Sequence, residues 1–212
     1  MARFSVMDTH VQSLNENYNI HPGQNVLTIL NRGEVISAEM MNWGLKSSPG
    51  SFNREVKTIH NSRIESVLTR PTFKSIVKRQ RCLIPTNGFY EWKKTTKGSH
   101  PFFIHRQRND LFAFAGIWTF EPSNSGTMTN SCSIITKPAI SNLSSIHSRM
   151  PVILSKGQEM IWMSENSYLT GILSSLSSKT SEPDILADHI STYVNSPHNS
   201  DEECIVPIPK LL

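Results

Sequence analysis

The sequence predicts a mixed α+β fold in which antiparallel strands outnumber helices. Short apolar or alternating runs follow one another along the chain, separated by turn signals such as Pro22-Gly23. Few segments carry the period of a helix, and residues 71–79 are the clearest of them. Many short strands with a few helices are typical of α+β proteins. The length of 212 residues, 37% of them hydrophobic, allows one large domain or two small ones.

The first third of the chain is predicted to pass through strands and a loop before it reaches a helix. Residues 18–46 are predicted to form short strands and turns, and residues 47–58 a loop. Proline suits the first position of a helix because its missing N–H has no partner there. We therefore expect a helix over residues 71–79 that begins at Pro71 and places its apolar residues on one face.

The segment 81–92 contains the most informative carboxylate of the chain. Its pattern predicts a strand, a tight turn at Asn87-Gly88 and a second strand, which together form a β-hairpin. Glu91 lies on the second strand between two aromatic residues. A carboxylate on such a half-buried strand is costly unless it is paired or used, so Glu91 is a candidate for acid–base chemistry. The alternative is a carboxylate paired with a nearby Arg or Lys.

The second half of the chain continues the pattern of strands and short helices. Residues 111–119 are unusually apolar and are therefore predicted to form a central strand. Ser155 and Gln158 have the spacing of a capping box, which predicts the start of a helix. The further predicted elements are strands at residues 101–106, 132–136, 193–195 and 204–207, and a helix followed by a loop within residues 164–182.

Cysteine content and hydropathy argue against several classes of protein. Cys82, Cys132 and Cys204 are odd in number and widely spaced, which argues against a disulfide framework or a zinc site and fits a reducing cytosol. No stretch approaches the roughly 20 apolar residues of a membrane helix, and the N-terminus has no apolar signal-peptide core. No phosphate-loop, dinucleotide-binding, serine-hydrolase or zinc-protease motif occurs. We therefore expect no metal, no cofactor, no membrane contact and a cytoplasmic location. A nucleic-acid partner, considered next, would make that location nucleoid-associated.

Charge is distributed unevenly along the chain. Residues 1–110 hold 16 Lys and Arg against 8 Asp and Glu, a net charge of +8, whereas residues 111–212 hold 5 against 9, a net charge of −4. A basic N-terminal half indicates an anionic partner, with nucleic acid first among the candidates. The alternative is charge that serves solubility and is scattered over the surface.

Residues 61–65 bring polar and charged side chains onto one face if the chain is extended there, because side chains alternate along a strand. Asn61, Arg63 and Glu65 would share that face. Arg63 could hold Glu65 in a charge-assisted pair or clamp a phosphate. The alternative is a structural salt bridge beside a turn.

His147 and Arg149 alternate along a stretch that enters Pro151, and proline favours extended geometry in the residue before it. A histidine can move protons near neutral pH. A nearby arginine can bind phosphate. The alternative is a structural histidine.

The N-terminus supplies a candidate nucleophile. Met1 precedes the small residue Ala2, so we expect its removal, which exposes an α-amine at residue 2. An α-amine has a pKa near 8, so a useful fraction is neutral and could attack an aldehyde to form an imine. The alternative is an ordinary terminus without chemistry.

Taken together, these segments resemble the SRAP domain family of abasic-site processing proteins. The resemblance runs from Arg3 to about Pro207, and several motifs in the same order are far more specific than any one of them. The matching segments are residues 3–4, 18–22, 43–45, 61–63 with Glu65, 81–85, 88–92, 114–118, 134–136 with Ala139, and 146–154.

The resemblance implies a single domain over residues 1–212, built on a curved, barrel-like antiparallel sheet with peripheral helices. It also implies a monomer that binds single-stranded DNA and reacts with the ring-opened aldehyde of an abasic site. The family's nucleophile is an N-terminal cysteine, whose amine forms an imine and whose thiol closes a thiazolidine ring. The lesion is thereby shielded in a stable DNA–protein crosslink.

The site residues of the family can be assigned, one position at a time, to the matching residues of this chain. The resemblance implies that Asn61 orients the adduct, that Glu91 acts as general acid and base and assists release of the initiator Met, and that His147 assists opening of the sugar ring. Its other assignments are phosphate binding by Arg3, Arg63 and Arg149, base stacking worth about 1–3 kcal/mol on Trp43, and a pocket lined by Asn19 and Pro22.

One departure from the family affects the nucleophile. The family begins Met-Cys-Gly-Arg, whereas this chain begins Met1-Ala2-Arg3, so position 2 has no thiol. Without sulfur the thiazolidine cannot form, and an imine can be reversed by water or lead to β-elimination. Three explanations are open: an engineered replacement of the cysteine, a residue missing from this sequence, or a natural variant that lacks the crosslink.

Two other functions are open at this point. A non-covalent module would hold single-stranded DNA in a basic groove, and its affinity would depend on salt. A peptidase would use Glu91 and His147 to remove Met1 or to cleave other chains.

Overall fold

A closed barrel of five strands forms the centre of the structure. The structure is a computed structural model, and it describes residues 2–47, 57–108, 110–122, 126–165, 168–178 and 184–209. The strands, in chain order, are β1 (Asp8–Thr9), β2 (Asn25–Arg32), β3 (Val35–Trp43), β4 (Leu45–Lys46), β5 (Thr58–Ile59), β6 (Asn61–Arg63), β7 (Arg81–Thr86), β8 (Gly88–Thr95), β9 (Gly98–Arg106), β10 (Phe112–Pro122), β11 (Met128–Pro138), β12 (Arg149–Pro151), β13 (Ile153–Leu154) and β14 (Ile185–His189). The α-helices are α1 (Pro71–Lys74), α2 (Ile76–Arg79), α3 (Lys156–Met163) and α4 (Leu169–Leu176), and 3-10 helices cover Ala2–Phe4, Thr192–Asn195 and Glu202–Ile205.

The barrel closes because β11 pairs with a strand on each side. Antiparallel pairs join β3 to β2, β2 to β7, β7 to β10 and β10 to β11. Parallel pairing of Ser131 and Cys132 with Asn42 and Trp43 then returns β11 to β3. The prediction of a barrel-like, mainly antiparallel sheet with few helices is confirmed. The apolar strand predicted at residues 111–119 is central, since β10 pairs with β7, β11 and β13.

The hairpin predicted over residues 81–92 is wrong. β7 pairs with β2 and β10, whereas β8 pairs with β9 in a separate three-stranded sheet that also contains β14. Gly88 is required instead for close packing, since a Cβ there would lie 2.3 Å from the ring of Phe103 on β9. A positive φ is found instead at Gly98 (φ +128°), the first residue of β9, where the chain turns from β8 into β9. The glycine of the predicted turn therefore serves the close approach of two strands.

Apolar side chains cover both faces of β10. Ala115 and Ile117 belong to one buried cluster, and Phe112 and Phe114 belong to a second, in keeping with the alternation of side chains along a strand. A strand buried on both faces is held firmly in place. The helices pack on the first cluster through residues that include Phe73, Val77, Trp162 and Leu173.

The predicted helices form at the expected places. The helix of residues 71–79 consists of α1 and α2, which meet at Ser75, and Pro71 occupies its start. Ser155 and Gln158 form the predicted capping box, with both reciprocal hydrogen bonds present before α3. α4 lies where a second helix was expected. No helix in the described ranges is long and apolar enough to cross a membrane.

The C-terminal segments predicted as strands are 3-10 helices. Thr192–Asn195 and Glu202–Ile205 each follow a side chain, Ser191 or Asp201, that accepts a hydrogen bond from the backbone N–H two residues on. Such local bonds offer the backbone an alternative to strand pairing. Most of the loop predicted at residues 47–58 lies outside the described residues.

Candidate active site

Glu91 and His147 form the centre of the candidate active site. Oε2 of Glu91 lies 3.3 Å from Nδ1 of His147. Glu91 belongs to β8 of the three-stranded sheet, whereas His147 lies in the loop that leads to β12. The side chains are 21% and 48% exposed, respectively. The pair therefore joins a half-buried carboxyl to an imidazole that a substrate can reach.

The alternation of side chains along β8 explains the orientation of Glu91. Tyr90 and Trp92 lie on the opposite face of the strand and pack on a small apolar cluster. Each is also held by a hydrogen bond, since Tyr90 Oη donates to the Tyr18 carbonyl and Trp92 Nε1 donates to Asn195 Oδ1 at 2.8 Å. The flanking aromatic residues thus fix the strand that presents the carboxyl.

Burial changes the acidity of Glu91. Desolvation raises the pKa of Glu91 from 4.5 to about 7, and the imidazole of His147 opposes this rise. At neutral pH the carboxyl is therefore divided between its protonated and ionised forms. A group in that state can both donate and accept a proton, which is what general acid–base catalysis requires.

Hydrogen-bond partners define the tautomer of His147. Its Nδ1 lies 3.0 Å from the carbonyl oxygen of Arg149, which can only accept, and 3.3 Å from the carboxyl of Glu91, which accepts in its ionised form. One donor, the N–H of Arg149, lies 3.3 Å from the same nitrogen. The Arg149 carbonyl can only accept and lies nearer to Nδ1 than the N–H does, so we assign the proton to Nδ1. Nε2 is then the nitrogen that can accept a proton from a substrate.

Arg149 is held in a two-pronged ion pair with Glu65. Its Nη1 and Nη2 donate to the two carboxylate oxygens at 2.9 and 3.0 Å, and Nη2 also donates to the Thr136 carbonyl at 2.7 Å. The hydrogen bond from Arg149 is the main reason that the pKa of Glu65 is lowered. The sequence suggested Arg63 as the partner of Glu65. Arg149 takes that place, and Arg63 adds only a weaker electrostatic attraction.

Strand β6 presents Asn61 and Arg63 on its exposed face. The intervening Ser62 is buried, where its hydroxyl meets that of Ser133 at 2.8 Å. β6 pairs in parallel with β11, and Thr136 of β11 pairs with Arg63 on one side and with β12 on the other. The alternation predicted for this segment is confirmed. Its exposed polar residues lie on β6, which β11 separates from β12.

Trp43 lies beside the same strand. Its Nε1 donates to the carbonyl of His60 at 2.8 Å, and the two rings meet edge to face at a centroid distance of 6.3 Å. The indole is partly buried against one of the barrel clusters. Burial lowers the pKa of His60, so its ring is neutral at pH 7. Stacking of a base on Trp43 stays a prediction, and it would use the part of the indole that remains exposed.

Asn19 has a structural role that the resemblance did not suggest. Its side chain is buried, and Nδ2 lies 2.8–3.2 Å from the carbonyls of Val194, Ser196 and Asn199. A buried amide with these bonds ties the N-terminal segment to the C-terminal one and does not line an open pocket, so that expectation is corrected. Pro22 is exposed, and its contact with DNA stays a prediction.

The N-terminal segment is anchored through Arg3. Its Nη1 and Nη2 donate to both carboxylate oxygens of Glu159 on α3 at 2.8 and 2.6 Å, and its guanidinium lies 4.5 Å from the centre of the Phe4 ring. Phe4 is buried, whereas Ala2 is exposed. The structure thus gives Arg3 a carboxylate partner within the protein, and its contact with phosphate stays a prediction.

Glu159 is the residue at this anchor that the sequence analysis missed. Its side chain is 7% exposed. The signal was available, because Glu159 precedes the apolar Trp162 and Met163 by three and four residues in the predicted helix, and that spacing marks one helix face. A carboxylate on the buried face of a helix implies a cationic partner. The pattern does not identify that partner as Arg3.

The described contacts provide a proton-transfer pair, and they place the exposed Ala2 on a segment that Arg3 anchors to α3. Glu91 and His147 are in contact, whereas Asn61, Arg63 and Arg149 lie on strands β6 and β12, which flank β11. In the ranges that the structure describes, no group of three or more His, Cys, Asp or Glu side chains could hold a metal ion.

Comparison with known proteins identifies the family of this chain. Residues 1–197 match the family described as SOS response associated peptidase (SRAP). The chain is 34% identical to the abasic site processing protein YoqW of Bacillus subtilis (strain 168), over 89% of this chain and 84% of YoqW. It is 32% identical to the abasic site processing protein HMCES of Gallus gallus, over 79% of this chain and 56% of that protein. It is 31% identical to the abasic site processing protein YedK of Escherichia coli (strain K12), over 69% and 64% of the two chains.

Solved structures share the fold. A crystal structure of a protein from Bacteroides thetaiotaomicron has a TM-score of 0.83 at 20% identity and covers 98% of this chain and 94% of its own. Another, from Bordetella bronchiseptica, has a TM-score of 0.71 at 19% identity and covers 90% of this chain and 93% of its own. With the family match over residues 1–197 and relatives above 30% identity, the chain belongs to the SRAP family.

Proposed function

We propose that this protein processes abasic sites in single-stranded DNA through an imine between its residue-2 amine and the sugar aldehyde. The observation that carries the proposal is the Glu91–His147 pair, in which a half-buried carboxyl with a pKa of about 7 contacts an imidazole. Family membership and the names of the relatives, abasic site processing proteins, support the substrate class.

His147 acts first, on the closed form of the abasic sugar. This sugar is a hemiacetal that must open before its C1 atom is an aldehyde. Nε2 of His147 accepts the proton of the C1 hydroxyl while the bond between C1 and the ring oxygen breaks, and the ring oxygen takes a proton from water. The 48% exposure of the imidazole allows this approach of substrate.

Glu91 acts in the next step. The residue-2 amine attacks the aldehyde carbon and gives a carbinolamine. Glu91 accepts the proton that the nitrogen loses and donates a proton to the hydroxyl group, which leaves as water as the imine forms. One carboxyl can perform both transfers because a pKa of about 7 keeps both of its forms populated at neutral pH. Asn61 would hydrogen-bond the adduct.

Two arginines would bind the phosphates on either side of the lesion. Arg63 is exposed on β6, whereas Arg149 would exchange Glu65 for a phosphate. The side chain of Glu65 is 47% exposed, and such exposed ion pairs contribute about 0–1 kcal/mol. A phosphate can accept the same two-pronged hydrogen bonds, so the exchange is feasible.

The residue at position 2 limits how far the reaction goes. The thiols of Cys82 and Cys132 cannot replace a terminal cysteine, because both are buried and burial raises their pKa, that of Cys132 to about 12. Cys204 is buried as well. With Ala2 the imine has no thiol to capture it, so water can reverse the adduct.

The proposal is tested with single-stranded DNA that carries one abasic site. We expect the protein lacking Met1 to form a crosslink that appears on a denaturing gel only after reduction with borohydride. Ala2→Cys should give a heat-stable crosslink without reductant. The matched control is undamaged DNA of the same sequence. Absence of both crosslinks, in a protein whose N-terminus is confirmed by mass spectrometry, would contradict the proposal.

Removal of Met1 is a second candidate activity. The same carboxyl and imidazole could activate water for attack on the first peptide bond, and the description of the family as a peptidase favours this activity. The test is intact-mass measurement after expression without methionine aminopeptidase, compared between the parent and Glu91→Gln. Retention of Met1 by the parent protein would contradict self-cleavage.

A further inference from the structure

The α1–α2 segment carries a cluster of cations that the proposed reaction does not use. The side chains of Lys74, Lys78 and Arg79 are exposed, and Arg70, just before α1, is exposed as well. The cations border an open groove of about 620 Å³. The residues that line the groove are Pro71, Lys74, Ser75, Lys78, Arg79 and Gln80.

Helix geometry places these cations together on one side. Ser75 has helical dihedral angles (φ −79°, ψ −43°), so α1 and α2 follow one helical path. Phe73 and Val77 face the core, whereas Lys74 and Lys78, one turn apart, are exposed. Like charges at this spacing destabilise a helix. The ion pairs found in the described part of the chain include neither lysine.

We propose that this cation surface, formed by Arg70, Lys74, Lys78 and Arg79, binds the phosphate backbone of duplex DNA. A duplex carries one negative charge per about 1.7 Å and binds clustered Lys and Arg by releasing counterions. No residue that lines the groove is aromatic. Sites for single strands stack bases on aromatic rings. A groove that has cations and no aromatic ring therefore fits the phosphate backbone of a duplex, in which the bases are paired.

The cation surface is separate from the acid–base pair. Phe73 and Val77 pack its helices on the first core cluster, whereas the neighbours of His147 and Glu91 in the chain, Ile146 and Tyr90, pack on two other clusters. Binding of intact duplex requires no aldehyde and no residue-2 amine. The duplex proposal and the abasic-site proposal can therefore fail independently of each other.

The test measures binding of an undamaged 20-base-pair duplex between 50 and 200 mM salt by fluorescence anisotropy. The variant is the triple substitution Lys74→Gln, Lys78→Gln, Arg79→Gln. If three phosphate contacts are lost, the slope of log K against log salt should become less steep by about 2.7. Lys74→Arg with Lys78→Arg should keep the slope, because both charges remain.

A control variant that loses the same number of positive charges elsewhere tests whether the effect is specific to the cation surface. Lys94→Gln, Lys97→Gln, Lys156→Gln removes three exposed cations from the β8–β9 hairpin and α3 and should leave the slope nearly unchanged. Equal slopes for the parent and the α1–α2 variant, in a protein with unchanged circular dichroism, would overturn the proposal. So would an equal effect of the control, or a loss of affinity confined to single-stranded DNA.

Discussion

Nη2 of Arg3 lies 2.6 Å from Oε1 of Glu159, so the N-terminal end of the chain is tied to a carboxylate of α3 that is 7% exposed. The hydrogen bonds are paired, and they are the main reason that the pKa of Arg3 is raised. Only Ala2 separates this anchor from Met1. The ion pair therefore restricts where Ala2 can lie, and with it the amine that the proposed reaction uses.

Replacing Glu159 by Gln should loosen this anchor. We expect a loss of about 1–3 kcal/mol in unfolding free energy, because the substitution leaves the partly buried guanidinium of Arg3 without its charged partner. The yield of borohydride-trapped imine should fall as well, since the amine is no longer held. Thermal unfolding and the denaturing gel measure the two effects.

A double variant separates charge pairing from packing at the anchor. Arg3→Met combined with Glu159→Met replaces the ion pair by apolar groups of similar length and should recover much of the lost stability, as exchanges of buried ion pairs commonly do. Recovery of stability without recovery of imine yield would show that the pair positions the amine. Full imine yield in Glu159→Gln would contradict that role.

The sequence predicts those parts of the site that local pattern controls. Glu91 is recognisable as a carboxylate between two aromatic residues, and the alternation of Asn61 and Arg63 follows from strand geometry. The contact of Glu91 with His147 depends on how the three-stranded sheet packs beside the loop before β12, which local pattern does not specify. Glu65 pairs with Arg149 and not with Arg63 for the same reason, because the packing of distant segments decides which arginine is near.

The errors at Gly88 and Asn19 have a related origin. An Asn-Gly pair predicts a tight turn by its local conformational preference, but packing against Phe103 also requires glycine, and local sequence does not distinguish the two reasons. Asn19 is polar and lies in a loop, so its burial becomes evident only when residues 194–199 fold over it. In each case a distant segment decides the role of the residue.

Asn19→Ala should therefore affect stability more than chemistry. Removal of the amide leaves carbonyls of the C-terminal segment without a donor, which should cost about 1–3 kcal/mol in unfolding free energy. The rate of trapped-imine formation at saturating DNA and low temperature should stay unchanged. Pro22→Ala is the matched control, since an exposed substitution should change stability by less than about 0.5 kcal/mol. A large fall in the rate of imine formation by a well-folded Asn19→Ala variant would support the original expectation that Asn19 lines the pocket.

Glu65→Gln should strengthen binding of single-stranded DNA. Glu65 and a phosphate would compete for Arg149, and removal of the carboxylate charge frees the guanidinium. An exposed pair of about 0.2–1 kcal/mol corresponds to an affinity about 1.4- to 5-fold higher. Titrations in parallel with Arg149→Gln, which should bind more weakly, provide the comparison. Weaker binding by Glu65→Gln would mean that Glu65 orients Arg149 for the phosphate instead of competing with it.

The two glutamates should affect stability in opposite directions as pH changes. The folded-state pKa of Glu91, about 7, exceeds its ordinary value of 4.5, so folding favours the protonated form. Its stabilising effect is complete below pH 4.5 and is lost as pH rises to 7. Glu91→Gln, which stays neutral, should therefore match the parent near pH 4 and exceed it by about 1–3 kcal/mol at pH 8.

Glu65 provides the control of opposite sign for the stability measurements. Arg149 lowers the pKa of Glu65, so this carboxylate stabilises the fold above its ordinary pKa and loses that effect as pH falls through the lowered value. Glu65→Gln should be less stable than the parent at pH 8, by less than about 1 kcal/mol since the pair is exposed, and the difference should shrink as pH falls through the lowered pKa of Glu65. Chemical denaturation of both variants from pH 3 to 8 measures the difference. If Glu91→Gln lost stability at pH 8 as Glu65→Gln does, the Glu91 carboxyl would be an ordinary ionised partner of His147, and the acid–base role proposed for it would have no basis.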